Sequence, residues 1–179
     1  MAMIAIPIAE DFEDSEFTIP RDRLRSAGHK IVTLGSERGR TVVGKNGKAT
    51  VTIDASADQV DPSAFDAVLI PGGYSPDHLR TDAALVVFLK KFAASGRPMA
   101  AVCHGPQLLI EADAVRGRTV TSWPSIRKDV INAGAAWVDR EVVEDGNLIT
   151  SRKPEDLEAF SAALLRRLDL EGCVAAEAS

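Results

Sequence analysis

Residues 98–110 read PMAAVCHGPQLLI, a pattern that predicts a buried strand, a one-residue corner at Cys103 and the start of a helix. A cysteine at such a corner has its sulfur lifted out of the sheet, beside the backbone N–H groups of the new helix. These N–H groups and the helix dipole favour an anion, so the pattern favours a reactive thiolate. The alternative is a structural cysteine, because cysteine is among the residue types most often buried.

Strands and helices alternate along the rest of the chain. Apolar runs predict strands at residues 3–8, 30–34, 67–70 and 119–121, and amphipathic stretches predict helices at 15–27, 82–94, 124–132 and 154–168. The pair Asn46-Gly47 predicts a β-hairpin, and Asp145-Gly146 marks a second turn between apolar runs. We therefore expect an α/β fold with a mostly parallel sheet, covered on both faces and carrying its sites at the carboxyl ends of strands.

Length, charge and cysteine content narrow the class of protein. The 179 residues suffice for one domain, which we expect over residues 1–171 with a disordered tail at 172–179. The net charge of −5, with no basic block, argues against nucleic-acid binding, and no apolar run is long enough to span a membrane. The two cysteines, Cys103 and Cys173, have no paired spacing. We therefore expect neither a disulfide framework nor a thiolate metal site. We expect the protein to reside in the reducing cytoplasm.

The loop after the first predicted strand is acidic, with the sequence EDFED at residues 10–14. If this strand is parallel to the one before Cys103, both strand ends open into one crevice. A carboxyl group from Glu13, shielded by Phe12 and Phe17, could then share a proton with the sulfur. The alternative is a solvated loop that caps the next helix. For Asp14, this alternative has about the same weight as a role in the site.

Two further loops supply candidate pocket residues. The sequence PGGYSPDH at residues 71–78 contains two glycines at a strand end, which permit a backbone N–H to approach a developing oxyanion. A simple tight turn is the alternative for this loop. Trp123 could form a wall of the pocket, although a lone tryptophan is more often part of a core.

The three histidines narrow the mechanism. None follows residue 104, which excludes the α/β-hydrolase order and argues against a glutamine amidotransferase, because both need a base after the nucleophile. The base is therefore His104 or His78. His29 follows a helix-ending glycine, so we expect it to face solvent on the wrong side of the sheet.

Four stretches keep the spacing of a known family: DFEDSEFT at 11–18, PGGYSPD at 71–77, AVCHGPQLLI at 101–110 and INAG at 131–134. They resemble the PfpI-type branch of the ThiJ/PfpI superfamily, and most of all the bacterial YhbO-type stress proteins, over roughly residues 4–170. The resemblance implies a flavodoxin-like three-layer α/β sandwich with an added β-hairpin.

The resemblance also implies roles for individual residues. Cys103 is the expected nucleophile, His104 its acid/base and Glu13 the carboxyl group that contacts the sulfur. The N–H groups of Gly73 and His104 form the expected oxyanion hole, and the expected pocket residues are Gly72, Tyr74, His78 and Trp123. In the archaeal peptidase branch, a glutamate at position 77 reaches the histidine across a subunit interface. Asp77 is shorter by about 1.5 Å, so its contact requires a closer interface in a homo-oligomer, either a dimer or a hexamer.

The resemblance leaves three activities open, and none of them needs a cofactor or a metal. The first is cofactor-independent removal of reactive carbonyls, from methylglyoxal to lactate or from glycated protein. The second is an intracellular cysteine peptidase or amidase, and the third is a redox-sensitive stress chaperone. A soft thiolate adds readily to an aldehyde, whereas peptide hydrolysis demands an extended cleft and a firmly oriented base. We therefore expect carbonyl chemistry first.

Overall fold

A central β-sheet of seven strands organises the molecule. The computed structural model describes the backbone of residues 1–177 and the side chains of residues 1–170. The strands are β1 (Met3–Pro7), β2 (Lys30–Gly35), β3 (Thr41–Val43), β4 (Thr50–Thr52), β5 (Ala55–Ser56), β6 (Ala67–Ile70), β7 (Met99–Val102), β8 (Thr119–Val120), β9 (Ala136–Trp137), β10 (Val142–Asp145) and β11 (Leu148–Ser151). The helices are α1 (Asp14–Ser26), α2 (Ser75–Leu79), α3 (Ala83–Ala94), α4 (Pro106–Glu111), α5 (Arg127–Asn132) and α6 (Leu157–Glu177).

The order of strands in the main sheet is β10-β11-β7-β6-β1-β2-β5. Each neighbouring pair is parallel except β10 with β11, which form an antiparallel hairpin. The remaining strands form two small sheets, antiparallel β3-β4 and parallel β8-β9. The predicted hairpin around Asn46-Gly47 is thus confirmed, and it lies outside the main sheet.

The sheet is covered on both faces. Along β1 the side chains alternate between two cores, with Ala5 in one and Ile4 and Ile6 in the other. Phe88 of α3 belongs to the first core and Phe17 of α1 to the second. Burying one such aromatic ring stabilises the fold by roughly 1.5–3 kcal/mol. The predicted α/β class, mostly parallel sheet and flavodoxin-like sandwich are confirmed.

The carboxyl ends of β1, β6 and β7 lie side by side, because these three strands are parallel neighbours. The loops after β1 and β6 are also joined to each other. The N–H of Glu13 donates to the carbonyl of Gly72 (3.2 Å), and the N–H of Tyr74 donates to the carbonyl of Asp11 (2.9 Å). Cys103 follows β7 directly, so the polar loops expected from the sequence meet at one edge of the sheet.

The β3-β4 hairpin is fastened to this edge by Asp14, the first residue of α1. Its buried carboxylate accepts three backbone N–H bonds from the hairpin turn, from Asn46 (2.9 Å), Lys48 (2.9 Å) and Ala49 (2.7 Å). Burial raises the pKa of Asp14, but these donors outweigh it, so the pKa is lowered. Asp14 stays charged and fixes the turn next to Cys103.

Three segments differ in detail from the sequence prediction. Residues 75–79, expected in a loop, form α2, with Pro76 in its first turn. The helix expected at 124–132 is divided into the 3-10 turn Pro124–Ile126 and α5. The last helix begins after a 3-10 turn and continues past the expected end at residue 168 to Glu177. The structure describes only the backbone of residues 172–177, and residues 178–179 lie outside the described residues. The expected disorder of residues 172–179 stays a prediction.

Candidate active site

Cys103 forms the strand-to-helix corner that the sequence predicts, in a left-handed backbone conformation with φ 62°. Its N–H donates to the carbonyl of Ser151 (3.1 Å), and its own carbonyl accepts from the N–H of Trp123 (2.9 Å). A non-glycine residue held at positive φ is strained, and such strain is concentrated at functional sites. The side chain is 9% exposed, so the sulfur lies at the bottom of a depression.

The carboxyl group that interacts with the sulfur belongs to Glu16 rather than to Glu13. Glu16 is fully buried in the first turn of α1, and its Oε2 accepts the N–H of Gly72 (2.8 Å). A Cβ at position 72 would lie 2.6 Å from that oxygen and 2.7 Å from the Cβ of Cys103, so only glycine fits. The expected role of Glu13 at the sulfur is therefore corrected. Because α1 begins at Asp14, the side chain two residues into the helix is the one directed at the elbow.

Glu16 and Cys103 form a coupled pair with both pKa values raised. Burial raises the pKa of Glu16 to about 8, so this carboxyl group keeps its proton at neutral pH. Burial also raises the pKa of Cys103, and an ionised Glu16 raises it further. The N–H groups of Gly73 and His104 lower the pKa of the thiol by less. Burial thus opposes the low-pKa thiolate expected from the sequence, and α4, whose N-terminus would favour it, is only six residues long. The low pKa of Cys103 stays a prediction.

The predicted oxyanion-hole donors lie at the sulfur, since the backbone N–H groups of Gly73 and His104 both act on Cys103. Gly73 has φ 75° and packs its backbone against the β1 loop, with a Cβ there falling 2.4 Å from the carbonyl of Asp11. The two loops thus aim N–H groups into the space above the sulfur. Their role toward an oxyanion stays a prediction.

His104 lies beside the sulfur, with Nδ1 3.4 Å from Sγ. Its Nε2 lies 3.2 Å from the hydroxyl of Ser125, which orients the ring. Burial and then the charge of Lys45 lower the pKa of His104, while Asp77 raises it by less. His104 is therefore neutral at pH 7 and able to accept a proton. Within the described residues of one chain, no hydrogen bond joins Asp77 to His104, and an interaction across an interface stays a prediction.

Glu13 occupies the same depression and holds a cation there. Its Oε2 lies 2.6 Å from Nζ of Lys45, and its Oε1 accepts weaker bonds from Ser15 (3.2 Å) and Asn46 (3.4 Å). Lys45 sits in the hairpin turn that Asp14 fixes, and its N–H donates to the carbonyl of Phe12 (2.9 Å). The hairpin therefore delivers an ammonium group to the site.

The depression is a cavity of about 270 Å³. Its lining consists of Glu13, Glu16, Lys45, Gly73, Tyr74, Cys103, His104, Trp123 and Pro154. Tyr74 (67% exposed) and Trp123 (39% exposed) form an aromatic rim that a substrate meets before it reaches the sulfur. Gly72 does not line the cavity and acts instead by binding Glu16.

His78 is not part of this cavity. It lines a separate cavity of about 460 Å³ on the other side of the β1 loop, where its Nε2 lies 3.9 Å from the carboxylate of Asp11. The expectation that His78 belongs to the pocket is corrected, because its side chain lines this second cavity together with Ala9 and Glu10. His29 lies at the opposite end of the sheet, where its Nδ1 accepts the N–H of Ala2 (3.1 Å).

Sequence reasoning missed Glu16, Lys45 and Ser125. Glu16 has a recognisable signal, because it falls two residues after the start of the first helix, in the same loop cluster as Glu13. Lys45 and Ser125 have none, since they come from a hairpin turn and a 3-10 turn that only the tertiary structure brings to Cys103. Among the described residues, no group of three or more His, Cys, Asp and Glu side chains is placed to hold a metal ion.

A doubly covered α/β sheet with a strained cysteine at a strand-to-helix corner defines the class of this protein. The chain matches the DJ-1/PfpI family over residues 2–167 and belongs to that family. It is 54% identical over 166 residues to protein/nucleic acid deglycase 2 of Escherichia coli (strain K12), covering 92% of this chain and 96% of that protein. It is 50% identical over 167 residues to general stress protein 18 of Bacillus subtilis (strain 168), covering 93% and 97%.

Solved structures agree with this assignment. Drosophila melanogaster DJ-1β superposes with a TM-score of 0.85 at 31% identity, covering 93% of this chain and 90% of that chain. A two-domain protein from Anabaena variabilis with DJ-1/ThiJ/PfpI-like and ferritin-like domains gives a TM-score of 0.93 at 44% identity, covering 94% of this chain and 48% of that chain. In the part of the chain that the structure describes, no helix has the length and apolar content needed to cross a membrane.

Proposed function

We propose that this chain is a cytoplasmic cysteine enzyme of stress defence that removes reactive 1,2-dicarbonyl compounds, converting methylglyoxal to lactate and releasing such groups from glycated protein. The observation that carries the proposal is the buried Glu16–Cys103 pair beside a neutral His104, at the bottom of a small cavity. The names of the two bacterial relatives, a deglycase and a general stress protein, support it.

The first step is addition of the thiol to the aldehyde. His104 accepts the thiol proton at Nδ1, and the sulfur electron pair forms the bond to the aldehyde carbon. The carbonyl electron pair moves onto oxygen, where the N–H groups of Gly73 and His104 stabilise it. Return of the proton from His104 gives a neutral hemithioacetal. Because Glu16 keeps its proton, no second negative charge opposes the thiolate as it forms.

The second step is an internal isomerisation followed by hydrolysis. His104, neutral again, removes the proton from the carbon bonded to sulfur and returns it to the neighbouring carbon. The product is a lactoyl thioester on Cys103, and water releases lactate and the free thiol. The overall change is methylglyoxal plus water to lactic acid, so the reaction is balanced without an oxidant or a reductant.

Two alternatives receive less support from the site. A peptidase needs an extended cleft and a base oriented by a fixed acid, whereas this cavity is about 270 Å³ and His104 is oriented by a serine hydroxyl. A redox-sensitive chaperone does not need Glu16 to hold a proton next to the sulfur. The peptidase alternative predicts Cys103-dependent cleavage of peptides, and the chaperone alternative predicts no Cys103-dependent formation of lactate.

The test uses purified protein with no added metal, glutathione or nucleotide. We expect methylglyoxal to be converted to lactate, and Cys103→Ser to lower kcat/KM by at least about 10³-fold. Circular dichroism of the variant controls for folding. Parallel assays follow an unstructured protein, a short fluorogenic peptide and methylglyoxal-modified albumin, the last against the rate of free methylglyoxal loss. Cleavage of peptides that depends on Cys103, without lactate, would identify a peptidase instead.

A further inference from the structure

The ammonium group of Lys45 is held in the active-site cavity from two directions. The backbone of Lys45 is fixed by its N–H bond to the carbonyl of Phe12, and the turn around it is fixed by the carboxylate of Asp14. At the other end of the side chain, Nζ lies 2.6 Å from Oε2 of Glu13. The side chain is 40% exposed and lines the cavity together with Cys103 and His104. A long and usually mobile side chain is therefore held in the cavity that contains the sulfur of Cys103.

The ammonium group is charged and has donors to spare. The hydrogen bond with Glu13 raises the pKa of Lys45 most, and the negative charge of Glu13 adds to this rise. Burial lowers the pKa by less than the hydrogen bond raises it. An ammonium group has three N–H donors, and Glu13 takes one. Among the described residues, Glu13 is the one ion-pair partner of Nζ, so two of its donors are available to other groups in the cavity.

The charge of Lys45 also reaches the reacting groups. It lowers the pKa of His104, and a thiolate formed at Cys103 in turn raises the pKa of Lys45. The geometric reason is that Lys45 lines the same cavity as Cys103 and His104, so a small group attached to the sulfur shares that space with the ammonium charge. In the proposed isomerisation, negative charge develops on the oxygen of the carbon next to the one bonded to sulfur.

We propose that Lys45 is a catalytic residue whose ammonium group binds this second oxygen of a 1,2-dicarbonyl substrate and stabilises the enediolate; this inference rests on the proposed function. His104 takes the proton from the carbon bonded to sulfur, and the C–H electron pair forms a carbon–carbon double bond. The ketone π pair moves to its oxygen, which becomes the anion beside Lys45. The protonated His104 then protonates the second carbon, while the hydroxyl proton of the first carbon passes to the second oxygen and a thioester results.

This role of Lys45 has a consequence for substrate choice. A simple aldehyde such as acetaldehyde can add to Cys103, but it has no second oxygen for the ammonium group to bind. The site is therefore selective for glyoxal, methylglyoxal and related dicarbonyls at the isomerisation step rather than at the addition step.

The chain offers a matched control for testing Lys45. Lys48 lies in the same hairpin turn, is exposed and does not line the cavity. We expect Lys45→Met to lower kcat for methylglyoxal about 100-fold, the usual effect of losing one stabilising donor, and to change KM by less than threefold. Lys48→Met should leave both constants unchanged. Glu13→Gln should lower kcat less than Lys45→Met, because the ammonium group is kept but is no longer held. Equal kcat in wild type and Lys45→Met, with turnover established, would overturn the proposal.

A second measurement does not depend on turnover. Iodoacetate alkylates a thiol to S–CH₂–COO⁻. A carboxylate oxygen of this product is three bonds from sulfur, as is the second oxygen of the hemithioacetal. Iodoacetamide places a neutral amide at the same position. We expect the ratio of iodoacetate to iodoacetamide rates at Cys103 to fall about tenfold in Lys45→Met and not in Lys48→Met. An unchanged ratio would overturn the role of Lys45 even if dicarbonyl turnover is present. Absence of turnover with a changed ratio would reject the proposed function while retaining Lys45 as the cation of the site.

Discussion

Glu16→Gln should remove a pH dependence from the stability of the fold. Glu16 is fully buried, and its pKa is about 8 in the folded chain against 4.5 for the ordinary group. A carboxyl group whose pKa is raised on folding binds its proton more tightly in the folded state. Its favourable contribution is therefore fully present below pH 4.5 and is lost as the pH rises toward 8. At about 1.4 kcal/mol per pH unit, this interval corresponds to a loss of about 5 kcal/mol.

The assay is urea unfolding at fixed protein concentration, at each pH unit from 5 to 9, for wild type and Glu16→Gln. Glutamine keeps the volume and does not titrate, so any packing cost is a constant offset between the two proteins. We expect the free energy of unfolding of wild type to fall relative to the variant by about 1.4 kcal/mol per pH unit between pH 5 and pH 8. Above pH 8 the difference should level off.

The test depends on how the free energy of unfolding changes with pH, and not on a constant difference between the two proteins. Glu37→Gln is the control, because Glu37 is an exposed carboxyl group in the loop after β2. This control should leave the curve parallel to that of wild type. Parallel curves for Glu16→Gln as well would show that Glu16 is ionised in the folded protein at neutral pH. Cys103 would then face a carboxylate and not a neutral carboxyl group.

The remaining predictions concern pH and assembly. The kcat for methylglyoxal should rise with pH as His104 loses its proton, at a pH below the ordinary histidine pKa of 6.5 because the pKa of His104 is lowered. It should fall again as Glu16 ionises near pH 8. Glu16→Gln should keep the acid limb of this pH profile and lose the alkaline limb, so an alkaline limb that persists in the variant would assign it to another group. If Asp77 orients His104 across an interface, dilution to the monomer should abolish turnover and Asp77→Asn should lower it about tenfold. Analytical ultracentrifugation combined with an activity assay checks this, and a fully active monomer removes Asp77 from the site.

Local patterns in the sequence were sufficient for the fold class and for the strand-to-helix corner at Cys103. The run before Cys103 is apolar on both faces because β7 is buried between two layers of helices, and Pro106 follows at the helix start. The hairpin was predictable because Asn-Gly favours a tight turn, and Gly47 supplies the positive φ (68°) that this turn requires. These features depend on neighbours in the chain, so they can be recognised without the tertiary structure.

The acid of the site was decided by geometry that the sequence leaves open. Glu13 and Glu16 are three residues apart, and either could face the strand end until the start of α1 is fixed at Asp14. Burial then separates them, because Glu16 has no exposed surface and keeps its proton, while Glu13 reaches a lysine. The state of Cys103 was likewise decided by burial, which the sequence pattern does not measure.

Contacts between distant segments were decided only by the tertiary structure. Lys45 lies in a hairpin turn and Ser125 lies in a 3-10 turn. In the sequence, a lysine or a serine at such a turn does not indicate a role in an active site. Lys45 reaches the cavity because Asp14 binds the hairpin turn at this edge of the sheet. Ser125 reaches His104 because the N–H of nearby Trp123 donates to the carbonyl of Cys103. The sequence alone determined that a cysteine occupies the strand-to-helix corner; packing determined which charged and protonated groups surround its sulfur.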